Sequence, residues 1–179
     1  LSLLAKNISN QPDSLLSKFL AVKSKLMFWF QKSNLPTRSK KNVEHHYDLS
    51  PELYKLFLDE DQQYSCAFFQ KEDDSLEQAQ INKKQHISKK LLLEPGMTVL
   101  DIGCGWGGLS LSLAKHYDVN VLGITLSEEQ KLIAEARASK EGLQDKVSFK
   151  ILDYRTDCGT FDRIVSVGMF EHVGTRNYI

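Results

Sequence analysis

Between Val99 and Gly108 the chain reads Val99-Leu100-Asp101-Ile102-Gly103-Cys104-Gly105-Trp106-Gly107-Gly108, an apolar run that opens into a loop rich in glycine. Glycine lets a backbone turn tightly and approach a ligand where a Cβ would collide, so this loop is the first candidate binding element. Gly103, Gly105 and Gly108 also satisfy G-x-G-x-x-G, the dinucleotide fingerprint. Two features oppose that reading. An extra Gly107 stands within the pattern with Asp101 just before the loop, and Gly123-Ile124-Thr125-Leu126 stands where a dinucleotide binder carries the acid that holds its ribose. Further along, Glu171 and His172 follow an apolar segment expected to be a fourth strand. In a sheet whose strand order reverses, ligands gather beyond the strand ends, so this pair should face the glycine loop; the neutral alternative is a surface carboxylate and a helix-starting histidine. Cys66 lies in the aromatic loop Tyr64-Ser65-Cys66-Ala67-Phe68-Phe69 without an acidic or basic partner in sequence, so a buried, small apolar role stands beside a site role. No metal site is expected. His45 and His46 are adjacent and would point apart, and His86 and His116 read as solvated helix positions.

Positioning these residues requires alternating strands and helices, and the pattern from Met97 onward supplies them. Strands are predicted at residues 98–102, 119–124, 147–152 and 161–167, and helices at 109–117 and 128–141. Such alternation specifies an α/β fold with a parallel, doubly wound, Rossmann-like sheet. Ser127-x-x-Gln130 caps the second helix and Gly142 ends it. Upstream, Ser50-Pro51 starts a short helix to about residue 58. Ser75-x-x-Gln78 opens another, which ends near residue 93 before Glu94-Pro95-Gly96.

The formal net charge is zero, yet residues 1–47 carry eight Lys or Arg against Asp13 and Glu44, so a +6 arm precedes a body of −6. Such an arm suits an anionic partner, a membrane surface or nucleic acid. Over residues 13–32, Leu15, Phe19, Val22, Leu26 and Trp29 recur every three or four positions, with Lys18, Lys25 and Lys32 on the polar side. That pattern suits an interfacial helix on anionic lipid; equally, the stripe could pack on the body or on a second subunit. Asn34 and Pro36 stop the helix and a linker follows. The domain plan is therefore an arm and linker over residues 1–41 and a main α/β domain over 42–179. Three widely spaced cysteines without a C-x-x-C pair indicate neither a disulfide framework nor a zinc knuckle, and point to a reducing, cytoplasmic setting. No apolar run is long enough for a membrane span, and no export signal is evident. A start at Leu1 and a stop at Ile179, directly after a motif, suggest part of a longer protein.

The Asp101–Gly108 block resembles the cofactor signature of class I methyltransferases, and its Cys-Gly-Trp-Gly variant narrows the family. Together with His46-Tyr47-Asp48-Leu49, Tyr64-Ser65-Cys66, Gly123 through Gln130, Asp153-Tyr154-Arg155 and Phe170-Glu171-His172-Val173-Gly174, it resembles the cyclopropane-fatty-acyl-phospholipid synthases and the related mycolic acid methyltransferases. The resemblance runs from about Asn42 to Ile179. It implies the first four strands of a class I methyltransferase sheet, with three more to follow. S-adenosylmethionine would touch Tyr64, Ser65, Gly103, Gly105, Thr125, Leu126, Gln130, Asp153 and Tyr154, with Asp101 beside the loop. A zwitterionic methionine tail needs such amide and hydroxyl partners, and the helix begun by Ser127 and Gln130 offers N–H groups to an anion.

The implied reaction moves a methyl group onto the cis double bond of an unsaturated phospholipid acyl chain at the inner face of the membrane. A carbocation forms and loses a proton to close a cyclopropane ring. Bicarbonate would be the base, held by Glu171, His172 and Cys66. The resemblance implies no nucleic-acid partner and admits a homodimer. Two further readings stay open: N-methylation of a small amine, as in plant alkaloid N-methyltransferases with similar loops, and a cofactor-binding fragment without catalysis.

Overall fold

The computed structural model describes residues 51–173. The arm and linker of residues 1–41, the His45/His46 pair and residues 174–179 lie outside the described residues. Helix α1 spans Pro51–Lys55 and α2 spans Leu76–Leu91. Next come β1 (Thr98–Ile102), α3 (Gly108–Tyr117), β2 (Asn120–Thr125), α4 (Glu128–Lys140), β3 (Val147–Ile151) and β4 (Arg163–Ser166), with a 3₁₀ turn at Phe170–His172.

Local chemistry sets most of these boundaries. The Ser75 hydroxyl accepts from the Gln78 N–H (3.2 Å) and the Ser127 hydroxyl from the Gln130 N–H (3.3 Å), so both expected caps form. Gly142, at φ +69°, ends α4 as its position predicts. Three elements end or begin two or more residues from expectation. Helix α1 stops at Lys55, where the Leu56 N–H turns to the Leu53 carbonyl in a tighter 3₁₀ bond (3.1 Å). Helix α2 ends at Leu91 because Leu92 adopts a left-handed conformation. Strand β4 is shorter than residues 161–167 because the Asp162 carboxylate takes both the N–H and the hydroxyl of Thr98 at 2.8 Å, so ladder pairing starts at Val99 opposite Arg163.

All four strands are parallel and lie in the order β3-β2-β1-β4. The chain steps outward from β1 to β2 to β3, then returns to place β4 on the far side of β1. That reversal opens a crevice beyond the carboxyl ends of β1 and β4. Val99, Val121, Val147, Phe149 and Val165 alternate onto one sheet face and pack with Leu109, Leu113, Ala134 and Ala138 of α3 and α4. Burial of each large member contributes about 1.5–3 kcal/mol. The result is a rigid floor under the glycine loop. Among the described residues, no helix is long and apolar enough to cross a membrane.

Candidate active site

The glycine loop hangs from β2. The N–H groups of Gly103 and Cys104 both donate to the Ile124 carbonyl, at 2.9 and 3.0 Å, and Gly107 N–H closes back on Cys104. The glycines then divide by what their missing side chains would meet. A Cβ on Gly103 would stand 2.8 Å from Met169 Cβ, one on Gly107 2.7 Å from Phe149, and one on Gly108 2.1 Å from the Gln63 amide. These three make room for protein. At Gly105 a Cβ would meet nothing within 4 Å. Of the loop's glycines, Gly105 therefore faces open space, beside the crevice.

Beneath the loop, Asp101 is 2% exposed, and its Oδ2 accepts the Ser110 hydroxyl at 2.7 Å. This bond ties the end of β1 to α3. Burial raises the Asp101 pKa to about 6, against the lowering effect of the Ser110 bond. The folded state thus holds this proton more tightly than the unfolded chain, where an aspartate titrates at about 3.9. The associated stabilisation is present at low pH and is lost as pH rises through about 6. Asp101→Asn should therefore gain in Tm relative to the wild type as pH is raised from about 4 to about 7. Parallel melting curves across that range would refute this strain. Burial, followed by the Asp101 charge, also pushes the Cys104 thiol well above its usual range, so Cys104 behaves as a core residue.

A strap over residues 54–68 covers one side of the loop. Tyr54, 2% exposed, packs on Trp106 and Tyr64 with ring centroids 5.0 and 5.4 Å apart. Asp61 accepts from Lys84 Nζ at 2.5 Å and from Arg137, whose guanidinium also donates to the carbonyls of Trp106 (2.9 Å) and Asp61 (3.2 Å). Arg137 thus joins α4, the strap and the glycine loop. Nothing in the sequence singled out Asp61 or Arg137, which lie 76 residues apart.

At the end of β2, the Thr125 hydroxyl donates to Gln130 Oε1 at 2.8 Å and accepts from the Ser127 N–H at 3.2 Å. Gln130 itself is buried, and its Oε1 is held by the Thr125 hydroxyl. Leu126 is half-buried beside them. Beyond β3, Asp153 sits in a turn held by Arg155, whose side chain donates to it at 2.8 and 2.5 Å; that bond keeps the Asp153 carboxyl below its usual range. The Arg155 guanidinium lies 5.8 Å from the Tyr154 ring centre. Asp153 and Tyr154 are both half-buried.

The strap reaches β4 through Ser65, whose Cβ lies 3.4 Å from the place a Cβ on Gly168 would occupy. Met169 backs onto Gly103, and the 3₁₀ turn carrying Glu171 and His172 follows immediately. Ser65 on the strap thus lies next to the segment that leaves β4 and carries Glu171. Cys66 and Glu171 are exposed, so the buried reading of Cys66 does not hold. His86 and His116 are exposed on their helices, as expected, with His86 beside Phe68.

Residues 34–179 match the protein family described as mycolic acid cyclopropane synthetase. The chain belongs to that family. It is 53% identical over 135 residues to a cyclopropane-fatty-acyl-phospholipid synthase of Escherichia coli K12, covering 75% of this chain and 34% of that protein. It is 52% identical over 137 residues to a probable fatty acid methyltransferase of Pseudomonas putida, covering 75% and 35%. A solved mycolic acid cyclopropane synthase, complexed with SAH and CTAB, superposes with a TM-score of 0.74 at 42% identity, over 78% of this chain and 49% of that one. Coclaurine N-methyltransferase, bound to N-methylheliamine and SAH, gives a TM-score of 0.68 at 26% identity over 89% of this chain and 50% of its own. The sheet of this cyclopropane synthetase family member is thus the Rossmann-like sheet of class I methyltransferases. The chain spans between a third and a half of the length of these relatives.

Proposed function

We propose that this chain is the S-adenosylmethionine-binding part of an enzyme that converts cis double bonds of phospholipid acyl chains to cyclopropanes. The observation that carries the reading is Gly105, whose missing side chain faces open space while its neighbours in the loop are packed against protein. The surroundings fit the cofactor. Gly105 leaves room for a ligand against the backbone, and Gln130 and Ser65 supply an amide and a hydroxyl for the amino-acid tail. Thr125, Leu126, Asp153 and Tyr154 border the ends of β2 and β3, and Tyr64 flanks Ser65. Asp101 contributes by bracing the loop through Ser110. When bound, the sulfonium supplies an electrophilic methyl group.

What the chain must then provide is a dry pocket and stabilisation of positive charge on the acyl chain. Glu171 beyond β4 supplies a carboxylate, and aromatic faces such as Tyr64 supply negative π density. Bicarbonate matches the chemistry of Cys66, Glu171 and His172, since its O–H can donate to the Glu171 carboxylate and its oxygens can accept from the Cys66 thiol; held by them, it would supply a base. Residues 1–41 act as a basic arm on anionic lipid, a role the +6 charge of residues 1–47 favours, and residues 42–179 as the catalytic domain, a region that lies wholly within the family match over residues 34–179. The protein works at the inner face of the membrane, without a nucleic-acid partner.

Vesicles of unsaturated anionic phospholipid, incubated with S-adenosylmethionine and the intact gene product, should yield lipid carrying one added CH₂ per converted double bond by mass spectrometry. Exchanging Lys18, Lys25 and Lys32 for Glu should reduce vesicle sedimentation, more at low than at high salt. Methylated amine without altered lipid would sink the lipid reading, and unchanged sedimentation would sink the role of the arm.

A further inference from the structure

Lys83, on the buried side of α2, is 7% exposed and extends Nζ to within 2.8 Å of Ser65 Oγ. One turn earlier, Gln80 donates through Nε2 to the carbonyls of Ser65 (3.0 Å) and Gln63 (3.2 Å). Two buried polar residues of one helix are thus spent on fixing a single serine. A lysine ammonium only donates, so in this bond the Ser65 oxygen is the acceptor and its own proton is left to point elsewhere. Among the described residues, that hydroxyl donates to no protein acceptor. Ser65 also packs beside Gly168, at the crevice wall.

We infer that Lys83 is a positioning residue that commits the Ser65 hydroxyl as a donor to the carboxylate of the cofactor's amino-acid tail. The inference rests on the S-adenosylmethionine reading above and adds the residue that makes Ser65 directional. Physically, a cation bonded to the back of a hydroxyl polarises its O–H and strengthens the next bond to an anion. Burial lowers the Lys83 pKa to about 8, opposed first by the nearby Asp59 charge, with Lys84, Asp61 and Cys66 as smaller influences. The ammonium form, needed for this orientation, prevails at neutral pH. An ion carried at that cost in a buried position, when an apolar side chain would pack there, is consistent with a task beyond packing.

The test compares S-adenosylhomocysteine with methylthioadenosine, which keeps the nucleoside and thioether but lacks the amino-acid tail. By calorimetry, Ser65→Ala and Lys83→Met should each weaken S-adenosylhomocysteine about 10-fold, the scale of a hydrogen bond to a charged group, and change methylthioadenosine less than about 3-fold. In the Ser65→Ala background, Lys83→Met should have no further effect, because the lysine acts through that hydroxyl. A lysine that merely supports the strap would weaken both ligands, or would still weaken binding in the Ala background; either result overturns the proposal. If Ser65→Ala alone leaves S-adenosylhomocysteine affinity unchanged, the tail is held elsewhere and the proposal falls while the cofactor reading survives. No S-adenosylhomocysteine binding by the wild type would bring down both. Should Lys83→Met not fold, Lys83→Gln enters the same cycle, with the same expected outcomes.

Discussion

Glu171→Gln should leave affinity for S-adenosylhomocysteine within a few-fold of wild type and lower turnover by about 100-fold or more, the loss expected for a group that acts on transition-state charge. The substitution keeps shape and hydrogen-bonding reach while removing the negative charge. Strand order reverses at β1, so the segment leaving β4 borders the crevice in front of the glycine loop. Met169 packs where a Cβ on Gly103 would be, and Glu171 follows two residues later on a 3₁₀ turn, exposed. In the proposed reaction a carboxylate there would favour positive charge on an acyl chain or hold an anion through that anion's own proton. Neither role involves the nucleoside, so binding and turnover should separate. Because the chain spans half or less of its relatives' length, turnover is measured in the intact gene product. A Gln variant that forms cyclopropane lipid at close to the wild-type rate would remove Glu171 from the mechanism.

The part of this arrangement visible in the sequence is the part encoded over short spans. Ser75, Ser127 and Gly142 mark helix ends because capping is decided within three or four residues, and the parallel sheet follows from alternation of apolar strands with amphipathic helices. The β4 boundary was hidden because Asp162 spends its carboxylate on Thr98, 64 residues away. Likewise, Asp61, Lys84 and Arg137 look like ordinary surface charges until the fold brings them together over Trp106. Lys83 has no sequence mark either; at that position a helix repeat gives only a lysine among lysines, and its burial depends on the strap carrying Ser65. For the glycine loop, spacing identified the motif but not the task of each glycine, since that depends on Met169, Phe149 and Gln63 arriving from elsewhere.

That division of tasks yields the second large effect. Gly105→Val should abolish S-adenosylhomocysteine binding, by about 100-fold or more, while the chain still folds. At φ +55° a branched residue is strained, and the left-handed region costs roughly 1–2 kcal/mol for a residue with a Cβ. Such a cost lowers Tm but does not unfold a domain of ordinary stability. The larger consequence is steric: apart from its chain neighbours, a Cβ at residue 105 meets no protein atom within 4 Å, so the branched side chain enters the space proposed for the cofactor. Gly107→Val is the matching control. Its Cβ would stand 2.7 Å from the Phe149 ring and 3.0 Å from Ala134, inside the core beneath the sheet's helices, so that variant should lose its cooperative melt rather than its ligand alone. Calorimetry with S-adenosylhomocysteine and thermal melts followed by circular dichroism read the two effects separately. If Gly105→Val binds within a few-fold of wild type, the open space above residue 105 is not the cofactor's place, and the glycine loop serves the fold alone.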